Sequence, residues 1–332
     1  MEEVIDKIFA DSKGILAADE STGTIEKRFK SVGMPCNEGL RNDYRHTLFS
    51  TPGLENFIGG VILYEETLRN EEAIAPLKEK DIVLGIKVDK GAQPYNKEGG
   101  KLTAGLDGLA DRLREYKPLG AQFAKWRAVL SVNDTDNCIL ANAWTLARYA
   151  KQCQMEGIVP IVEPEVIMEG DHSIYDSFEV SAKALHMLFD ALYWEKVSLE
   201  HIILKPNMIL SGYDAPNREG MEEVAKATLN CFNRCVPAAV PAIAFLSGGQ
   251  EDKEALDNLA QMNTEHYLPW ALSFSFGRTL QGGALQRWSS HLQRWSNSCC
   301  SQVSGSPEDW LLYRAQQCSE AVQGIFIVGE DS

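Results

Sequence analysis

The sequence has no long apolar segment. No run reaches the roughly 18–20 apolar residues that a membrane-spanning helix needs, and the longest candidate, VPAAVPAIAFL at residues 236–246, is short and interrupted by prolines. The N-terminal stretch MEEVIDKIFADSKG is acidic and lacks the basic and then apolar layout of a signal peptide. We therefore expect no membrane insertion and a cytoplasmic protein.

Recognisable metal-ligand and disulfide spacings are also missing. The chain has eight cysteines. Cys231 and Cys235 are one helical turn apart, and Cys299 and Cys300 are adjacent, but no second Cys or His pair accompanies them in sequence. These patterns predict free thiols in a reducing compartment, no bound metal and no cofactor. The six histidines are scattered, at His46, His172, His186, His201, His266 and His291.

Positive charge is in deficit. The chain has 32 Lys and Arg against 47 Asp and Glu, a formal net charge of −15. Such a surface repels nucleic acid and anionic membranes, so we expect neither as a partner. Hydrophobic residues make up 44% of the chain and charged residues 24%, which is typical of a folded globular protein with a sizeable core.

What the sequence does contain is a repeating layout of a short apolar run, a polar stop and a helix-like pattern. Such alternation predicts a parallel (β/α)8 barrel, with a doubly wound sheet as the alternative. We expect a single barrel domain over residues 1–332, with a C-terminal tail from about 324 to 332. The eight runs lie at 14–19, 59–64, 84–89, 121–126, 159–165, 202–207, 242–247 and 272–277.

Charged residues stand within or just after most of these runs. In a (β/α)8 barrel the C-terminal ends of the strands converge on one mouth, where active sites are built. One charge at a strand end is usually a solvated loop residue, but five cations at one mouth of an acidic protein predict a strongly anionic ligand. The charged residues are Asp19, Lys87, Asp89, Lys125, Arg127, Glu163, Glu165, Lys205 and Arg278.

Two loops have the composition of a phosphate site. The segment LSGGQED begins at Leu246 and leaves the seventh run, and SFGR at 275–278 closes the eighth. The loops after strands seven and eight form the usual phosphate site of this barrel, and glycine lets backbone N–H groups approach an anion.

Lys205 ends an apolar run, IIL, that reads as a buried strand. A buried lysine beside a second cation is held in its neutral, nucleophilic form, and a charge at about 6 Å opposes protonation by roughly 3 kcal/mol. Lys125 is the expected second cation. A neutral Lys205 can form a Schiff base with a ketone, while Glu163 or Glu165 supplies the acid and base and Asp19 accepts a substrate proton.

Seven segments, in order from about residue 13 to 287, resemble class I fructose-1,6-bisphosphate aldolases. They are KGILAADESTGTIEKRF, GIKVDKG, AQFAKWR, VPIVEPE, ILKPNM, FLSGGQ and SFSFGRTLQ. The resemblance implies a (β/α)8 fold, a homotetramer, and reversible cleavage of fructose 1,6-bisphosphate to dihydroxyacetone phosphate and glyceraldehyde 3-phosphate.

The resemblance also implies residue roles. Lys205 forms the Schiff base, Glu163 is its general acid and base with support from Glu165, Lys125 assists at the carbinolamine, and Asp19 takes the C4 hydroxyl proton. The phosphate on C1 is held by Ser247, Gly248, Gly277 and Arg278, and Ser275 is a further substrate-binding residue. The phosphate on C6 lies toward Lys87, Arg127, Ser21 and Thr24.

The chain departs from the family pattern at its C-terminus. Family members usually end in a tyrosine that helps protonate the enamine, whereas no tyrosine follows Tyr313 here, and the carboxylates Glu330 and Asp331 stand in the tail. Other readings remain open at this point: an aldolase for sedoheptulose bisphosphate or fructose 1-phosphate, or a non-catalytic barrel used as a scaffold. A metal-dependent aldolase is disfavoured by the scattered histidines.

Overall fold

A computed structural model describes residues 1–265, 267–296 and 305–326. Its centre is a closed barrel of eight parallel strands in the order β1-β10-β9-β8-β7-β6-β3-β2, which confirms the barrel expected from the eight apolar runs. The barrel strands are β1 (Gly14–Ala18), β2 (Ile58–Leu63), β3 (Val83–Lys87), β6 (Ala121–Leu130), β7 (Val159–Val166), β8 (Ile203–Leu204), β9 (Ala242–Phe245) and β10 (Ala271–Phe276).

Two further strands, β4 (Ala92–Pro94) and β5 (Lys101–Thr103), form an antiparallel hairpin after β3. The sequence analysis missed this hairpin because it is short and largely exposed, with no apolar run to mark it. The third predicted strand, at 84–89, also extends too far. Strand β3 ends at Lys87, so Asp89 follows the strand and is not part of it.

Helices surround the barrel, as the alternation of apolar runs and helix-like patterns predicted. Within the residues that the structure describes, no helix is long and apolar enough to cross a membrane. The helices are α1 (Glu2–Phe9), α2 (Thr22–Ser31), α3 (Glu38–Ser50), α4 (Glu65–Leu68), α5 (Glu71–Glu79), α6 (Leu109–Tyr116), α7 (Asp136–Met155), α8 (Ile174–Trp194), α9 (Met221–Cys235), α10 (Asp252–Asn263), α11 (Arg278–Ser296) and α12 (Pro307–Val322).

The barrel interior is a packed apolar core. Phe123, Ile15, Ile62 and other inward residues of the strands form one buried cluster with Ile5 and Ile8 of α1. Helix α1 contacts β1, β2 and β3. Because its Ile8 lies against Gly59 and Gly60 at the start of β2, α1 covers the amino end of the barrel. The opposite end, where the strands finish, is left as the mouth.

Glycines at two strand positions make this packing possible. A Cβ at Gly59 would overlap the carbonyl oxygen of Ile8, and a Cβ at Gly85 would overlap the ring of Phe123. Strand β2 can therefore accept α1, and β3 can accept the Phe123 ring, only because neither position has a side chain.

Candidate active site

The mouth of the barrel contains a cavity of about 700 Å³. Its lining includes every side chain that the sequence analysis proposed for the site. The structure thus brings together residues from the ends of β1, β3, β6, β7, β9 and β10 and from the segments that follow β1 and β8. These residues are Asp19, Ser21, Thr24, Lys87, Lys125, Arg127, Glu163, Glu165, Lys205, Ser247, Gly248, Ser275, Gly277 and Arg278.

Glu163 joins two lysines at the floor of this cavity. Its Oε1 lies 3.4 Å from Lys205 Nζ and its Oε2 lies 3.1 Å from Lys125 Nζ. Lys125 also donates a hydrogen bond of 2.9 Å to Asp19 Oδ2. The side chains of Lys205, Glu163 and Lys125 are all buried, so these charges interact with little screening by water.

The backbone around Lys205 is held by both neighbouring strands. The Lys205 N–H donates to the Val162 carbonyl of β7 at 2.8 Å, and the Leu246 N–H at the end of β9 donates to the Pro206 carbonyl at 3.1 Å. The buried Asn207 side chain accepts from the Val166 N–H at 2.9 Å. These bonds hold the segment after β8 against the strands on either side and place the lysine toward the cavity.

The pKa values of Lys205 and Lys125 shift in opposite directions. Burial lowers the pKa of Lys205, and the charge of Lys125 lowers it further, while Glu163 and Asp19 act in the other direction. Burial also opposes the charge of Lys125, but Asp19 and Glu163 outweigh it and raise the pKa of that lysine. Burial contributes more to the lowered pKa of Lys205 than the neighbouring cation does.

The two carboxylates beside the lysines remain ionised. Burial works against the charge of Asp19, but Lys125 and Lys205 hold its pKa well below the ordinary range. Burial likewise opposes the charge of Glu163, and the same two lysines lower its pKa. Both groups can accept a proton only when the charge of a neighbouring lysine changes.

The ends of β9 and β10 offer hydrogen-bond donors. The Ser275 hydroxyl is buried and, among the described residues, has no hydrogen-bond partner. A Cβ at Gly248 would lie 2.9 Å from Glu165 Oε1, so a side chain there would displace that carboxylate. Arg278 donates to the Gln250 carbonyl at 3.4 Å and forms no ion pair with any carboxylate in the described part of the chain.

The segment after β1 and the ends of β3 and β6 are built differently. Ser21 precedes the first turn of α2, and its hydroxyl lies 3.1 Å from that of Thr24. Lys87 is paired with Asp89 at 2.6 Å, and Arg127 is paired with Glu165. Two of the cations that the sequence analysis assigned to a phosphate are thus already neutralised by carboxylates.

The structure places the five expected cations in the cavity lining together with Arg28. Acids balance them, with six residues of each charge in the lining. The cations are Arg28, Lys87, Lys125, Arg127, Lys205 and Arg278, and the acids are Asp19, Glu20, Asp89, Glu163, Glu165 and Glu169. Among the described residues, Arg278 and Ser275 are lining donors that no carboxylate neutralises or occupies.

Arg28 and Tyr213 are among the residues of the cavity wall that sequence reasoning missed. Arg28 lines the cavity and is paired with Glu20 at 2.5 Å. It stands four residues after Thr24 and seven after Ser21, a helical spacing that places all three on one face of α2 and was available from the sequence. Tyr213, on the segment between β8 and α9, also lines the cavity, and no sequence signal marked it.

A few expectations fall outside what the structure describes or remain open. The tail carboxylates Glu330 and Asp331 and the cysteines Cys299 and Cys300 lie outside the described residues. Across 1–265, 267–296 and 305–326, no group of three His, Cys, Asp or Glu side chains is arranged to hold a metal ion.

Comparison with known proteins gives a consistent result. A family model described as class-I fructose-bisphosphate aldolase matches residues 1–332. The chain is 48% identical to a probable fructose-bisphosphate aldolase class 1 of Xanthomonas campestris, over 86% of this chain and 89% of the relative. It is 42% identical to fructose-bisphosphate aldolase C-A of Danio rerio, over 100% of this chain and 92% of the relative.

A solved structure shares the fold. Fructose-bisphosphate aldolase from Plasmodium falciparum, crystallised in complex with TRAP and a small-molecule inhibitor, superposes with a TM-score of 0.92 at 42% identity. The match covers 99% of this chain and 95% of that one.

Proposed function

Because the chain belongs to the class I fructose-bisphosphate aldolase family, a family of metal-independent lyases that cleave fructose 1,6-bisphosphate reversibly through a lysine Schiff base, we propose that Lys205 is the amine that forms this Schiff base. The observation that carries the assignment is the position of Lys205 Nζ, buried in the cavity and 3.4 Å from a carboxylate oxygen of Glu163.

One proton transfer brings both Lys205 and Glu163 into their active forms. A nucleophilic amine must be neutral, and a general acid must be protonated. Burial lowers the pKa of Lys205, so desolvation by the substrate favours transfer of the ammonium proton to Glu163. That single transfer gives a neutral amine that attacks the C2 ketone and an acid that protonates the departing hydroxyl as water.

The iminium that results withdraws electrons from the C3–C4 bond. Cleavage of this bond needs a base for the C4 hydroxyl proton, and we assign that role to Asp19, which remains ionised beside Lys125. As the iminium becomes a neutral enamine, the positive charge near Asp19 falls and its basicity rises, so the proton is accepted when the bond breaks.

Lys125 maintains the charge balance of this sequence of steps. It pairs with both Asp19 and Glu163, so it stabilises either carboxylate while the other carries a proton. Glu165, paired with Arg127, lies two residues beyond Glu163 on β7 and supports that wall of the cavity. Hydrolysis of the product iminium reverses the first steps with Glu163 as the base.

The phosphate on C1 is assigned to the ends of β9 and β10. The Ser275 hydroxyl, the Arg278 guanidinium and the N–H groups of Ser247 and Gly248 are donors in one region of the cavity, where loops after the seventh and eighth strands bind phosphate in this fold. Gly277 opens the same wall, since a Cβ there would lie 3.2 Å from the Ala17 carbonyl.

The phosphate on C6 is assigned to the other side. The first turn of α2 supplies the hydroxyls of Ser21 and Thr24 and a positive helix end, with Lys87 and Arg127 nearby in the lining. Two separate anion regions favour a bisphosphate over fructose 1-phosphate. Preference over sedoheptulose bisphosphate does not follow from them.

Assembly, domain division and compartment are further parts of the proposal. The family resemblance implies a homotetramer, and a relative from Arabidopsis thaliana that is described as cytosolic supports a cytoplasmic location. The net charge of −15 supports the absence of a nucleic-acid partner. We keep the division into one barrel domain with a tail from about 324 as a prediction, and light scattering of the purified protein tests the tetramer.

Reduction with borohydride in the presence of dihydroxyacetone phosphate tests the assignment of Lys205. The reagent should inactivate the protein and add mass to the tryptic peptide 197–218, which contains Lys205 followed by Pro206. Excess chelator should change neither the labelling nor the turnover. Label on another lysine, or loss of activity that zinc restores, would overturn the proposal.

A further inference from the structure

Three side chains outside the active site meet between α8 and α9. Cys231 and Cys235 stand one turn apart on α9, and Cys235 Sγ lies 3.4 Å from Nε2 of His186 on α8. Cys231 is fully buried, Cys235 is 6% exposed, and His186 is exposed. A small solvent molecule can therefore reach Cys235 along the imidazole, while Cys231 lies behind it.

The two thiols are inequivalent. A hydrogen bond from Cys231 lowers the pKa of Cys235, and Arg234 lowers it further against the effect of burial. The same hydrogen bond, together with burial, raises the pKa of Cys231. Cys235 is therefore the thiol of the pair that ionises more readily, and the thiolate is the reactive form of cysteine.

Other cysteines in the described part of the chain are less suited to react. Burial raises the pKa of Cys138, Cys153 and Cys318. Cys36 is partly exposed, with Arg41 Nη1 3.7 Å from its sulfur, and is the competitor that a test must resolve. Neither a histidine nor a second thiol contacts it among the described residues.

We propose that Cys235 and Cys231 form a dithiol that reacts with hydroperoxides, with His186 as the base. His186 takes the thiol proton of Cys235, and the thiolate attacks one oxygen of hydrogen peroxide. The O–O bond breaks, the leaving hydroxide takes up a proton and departs as water, and Cys235 becomes a sulfenic acid.

The second thiol completes the reaction. The sulfur of Cys231 attacks that of Cys235, the S–O bond breaks, and the hydroxyl leaves as a second water with the Cys231 proton. The two thiols lose two electrons in total and the peroxide gains them. The product is a Cys231–Cys235 disulfide, which a dithiol reagent returns to the starting state.

The helix geometry allows this bond at the end of α9. Residues four apart in an α-helix have Cα atoms about 6 Å apart, within the disulfide range, but their Cβ atoms are about 5–6 Å apart and must approach to about 4 Å. Cys235 is the last residue of α9, and Val236 after it is extended, with φ −102° and ψ 117°. Only the terminal turn has to open.

The dithiol lies far from the chemistry of the barrel mouth. Helix α9 follows β8 and returns toward the amino end of the strands, so its last residue, Cys235, is at the end opposite the cavity. The inference is thus independent of the assignment of Lys205, and we expect disulfide formation to leave aldol cleavage within about twofold of its starting rate.

The test uses the full-length protein and hydrogen peroxide. Trypsin cuts after Arg234, between the two cysteines, so the disulfide appears as a linked pair of peptides 227–234 and 235–253 that separates on reduction. Cys231→Ser should stop at a sulfenic acid on Cys235 that dimedone traps. His186→Gln should slow linkage at least tenfold, whereas His46→Gln, on the exposed surface of α3, should not.

Each result decides the proposal. Linkage of the two peptides, loss of linkage in Cys235→Ser, and slowing in His186→Gln support it. Oxidation at Cys36 or another cysteine without the linked pair overturns it. Linkage at the same rate in His186→Gln overturns the role of the histidine, and circular dichroism of each variant shows that the fold is retained.

Discussion

Glu163 Oε1 lies 3.4 Å from Lys205 Nζ, and both side chains are buried. No water layer separates the two groups at this distance, so a proton can pass directly between the amine and the carboxylate. The pair therefore couples the activation of the nucleophile to the charging of the acid.

Replacement of Glu163 by Gln should lower turnover by about two to four orders of magnitude, the usual contribution of a general acid or base. The amide has nearly the same shape but cannot transfer a proton, so KM should change less than turnover. Glu165→Gln is the matched comparison on the same strand and should lower turnover less than tenfold. Steady-state kinetics of both variants check this, and a wild-type rate for Glu163→Gln would make Glu163 structural only.

Replacement of Lys125 by Met should move the acid limb of Schiff-base formation to higher pH. Lys125 lowers the pKa of Lys205, and its removal also leaves Asp19 and Glu163 to stabilise the Lys205 ammonium alone. The neutral amine becomes scarcer at low pH, and borohydride trapping at pH 7 should slow about tenfold or more. Lys125→Arg keeps the charge, so its pH profile should stay closer to that of the wild type. An unmoved acid limb in Lys125→Met would contradict the electrostatic role.

Replacement of Arg278 and of Ser21 should weaken binding of different phosphate groups of the substrate. Arg278→Gln should raise KM about 10- to 150-fold for fructose 1,6-bisphosphate and fructose 1-phosphate alike, which corresponds to a lost charged hydrogen bond of about 1.5–3 kcal/mol. Ser21→Ala should raise KM for the bisphosphate alone, because fructose 1-phosphate has no phosphate at C6. The ratio of the two KM values in each variant is the measurement, and a Ser21→Ala effect on both substrates would displace the C6 site.

Gly59→Ala should destabilise the barrel by about 1–3 kcal/mol, the usual cost of overpacking. The added Cβ would overlap the Ile8 carbonyl oxygen, which belongs to the backbone of α1 and cannot rotate away. Gly282→Ala in α11 meets no atom within 4 Å and should be neutral or stabilising by up to about 1 kcal/mol. Urea unfolding of both variants measures the difference, and equal midpoints would show that α1 moves freely.

The sequence by itself determined the eight-strand plan and the members of the site. Apolar runs such as AIAF at 242–245 mark strands wherever a short segment is buried on both faces, and parallel strands in a barrel must end at one mouth. Residues at those ends, such as Lys205 and Arg278, were therefore assigned to one cavity without knowledge of any distance. The hairpin β4–β5 was not predicted, because its residues are not buried on both sides and so form no apolar run.

Only the tertiary structure decided which charges pair. Whether Glu163 faces both Lys125 and Lys205 depends on the register of neighbouring strands and on side-chain direction. A sequence pattern specifies neither. Cys235 and His186 are 49 positions apart in the sequence and lie on different helices. They are in contact because α8 and α9 pack side by side around the barrel. Periodicity along a chain predicts which face of each element is buried, but proximity between elements is set by the closure of the whole barrel.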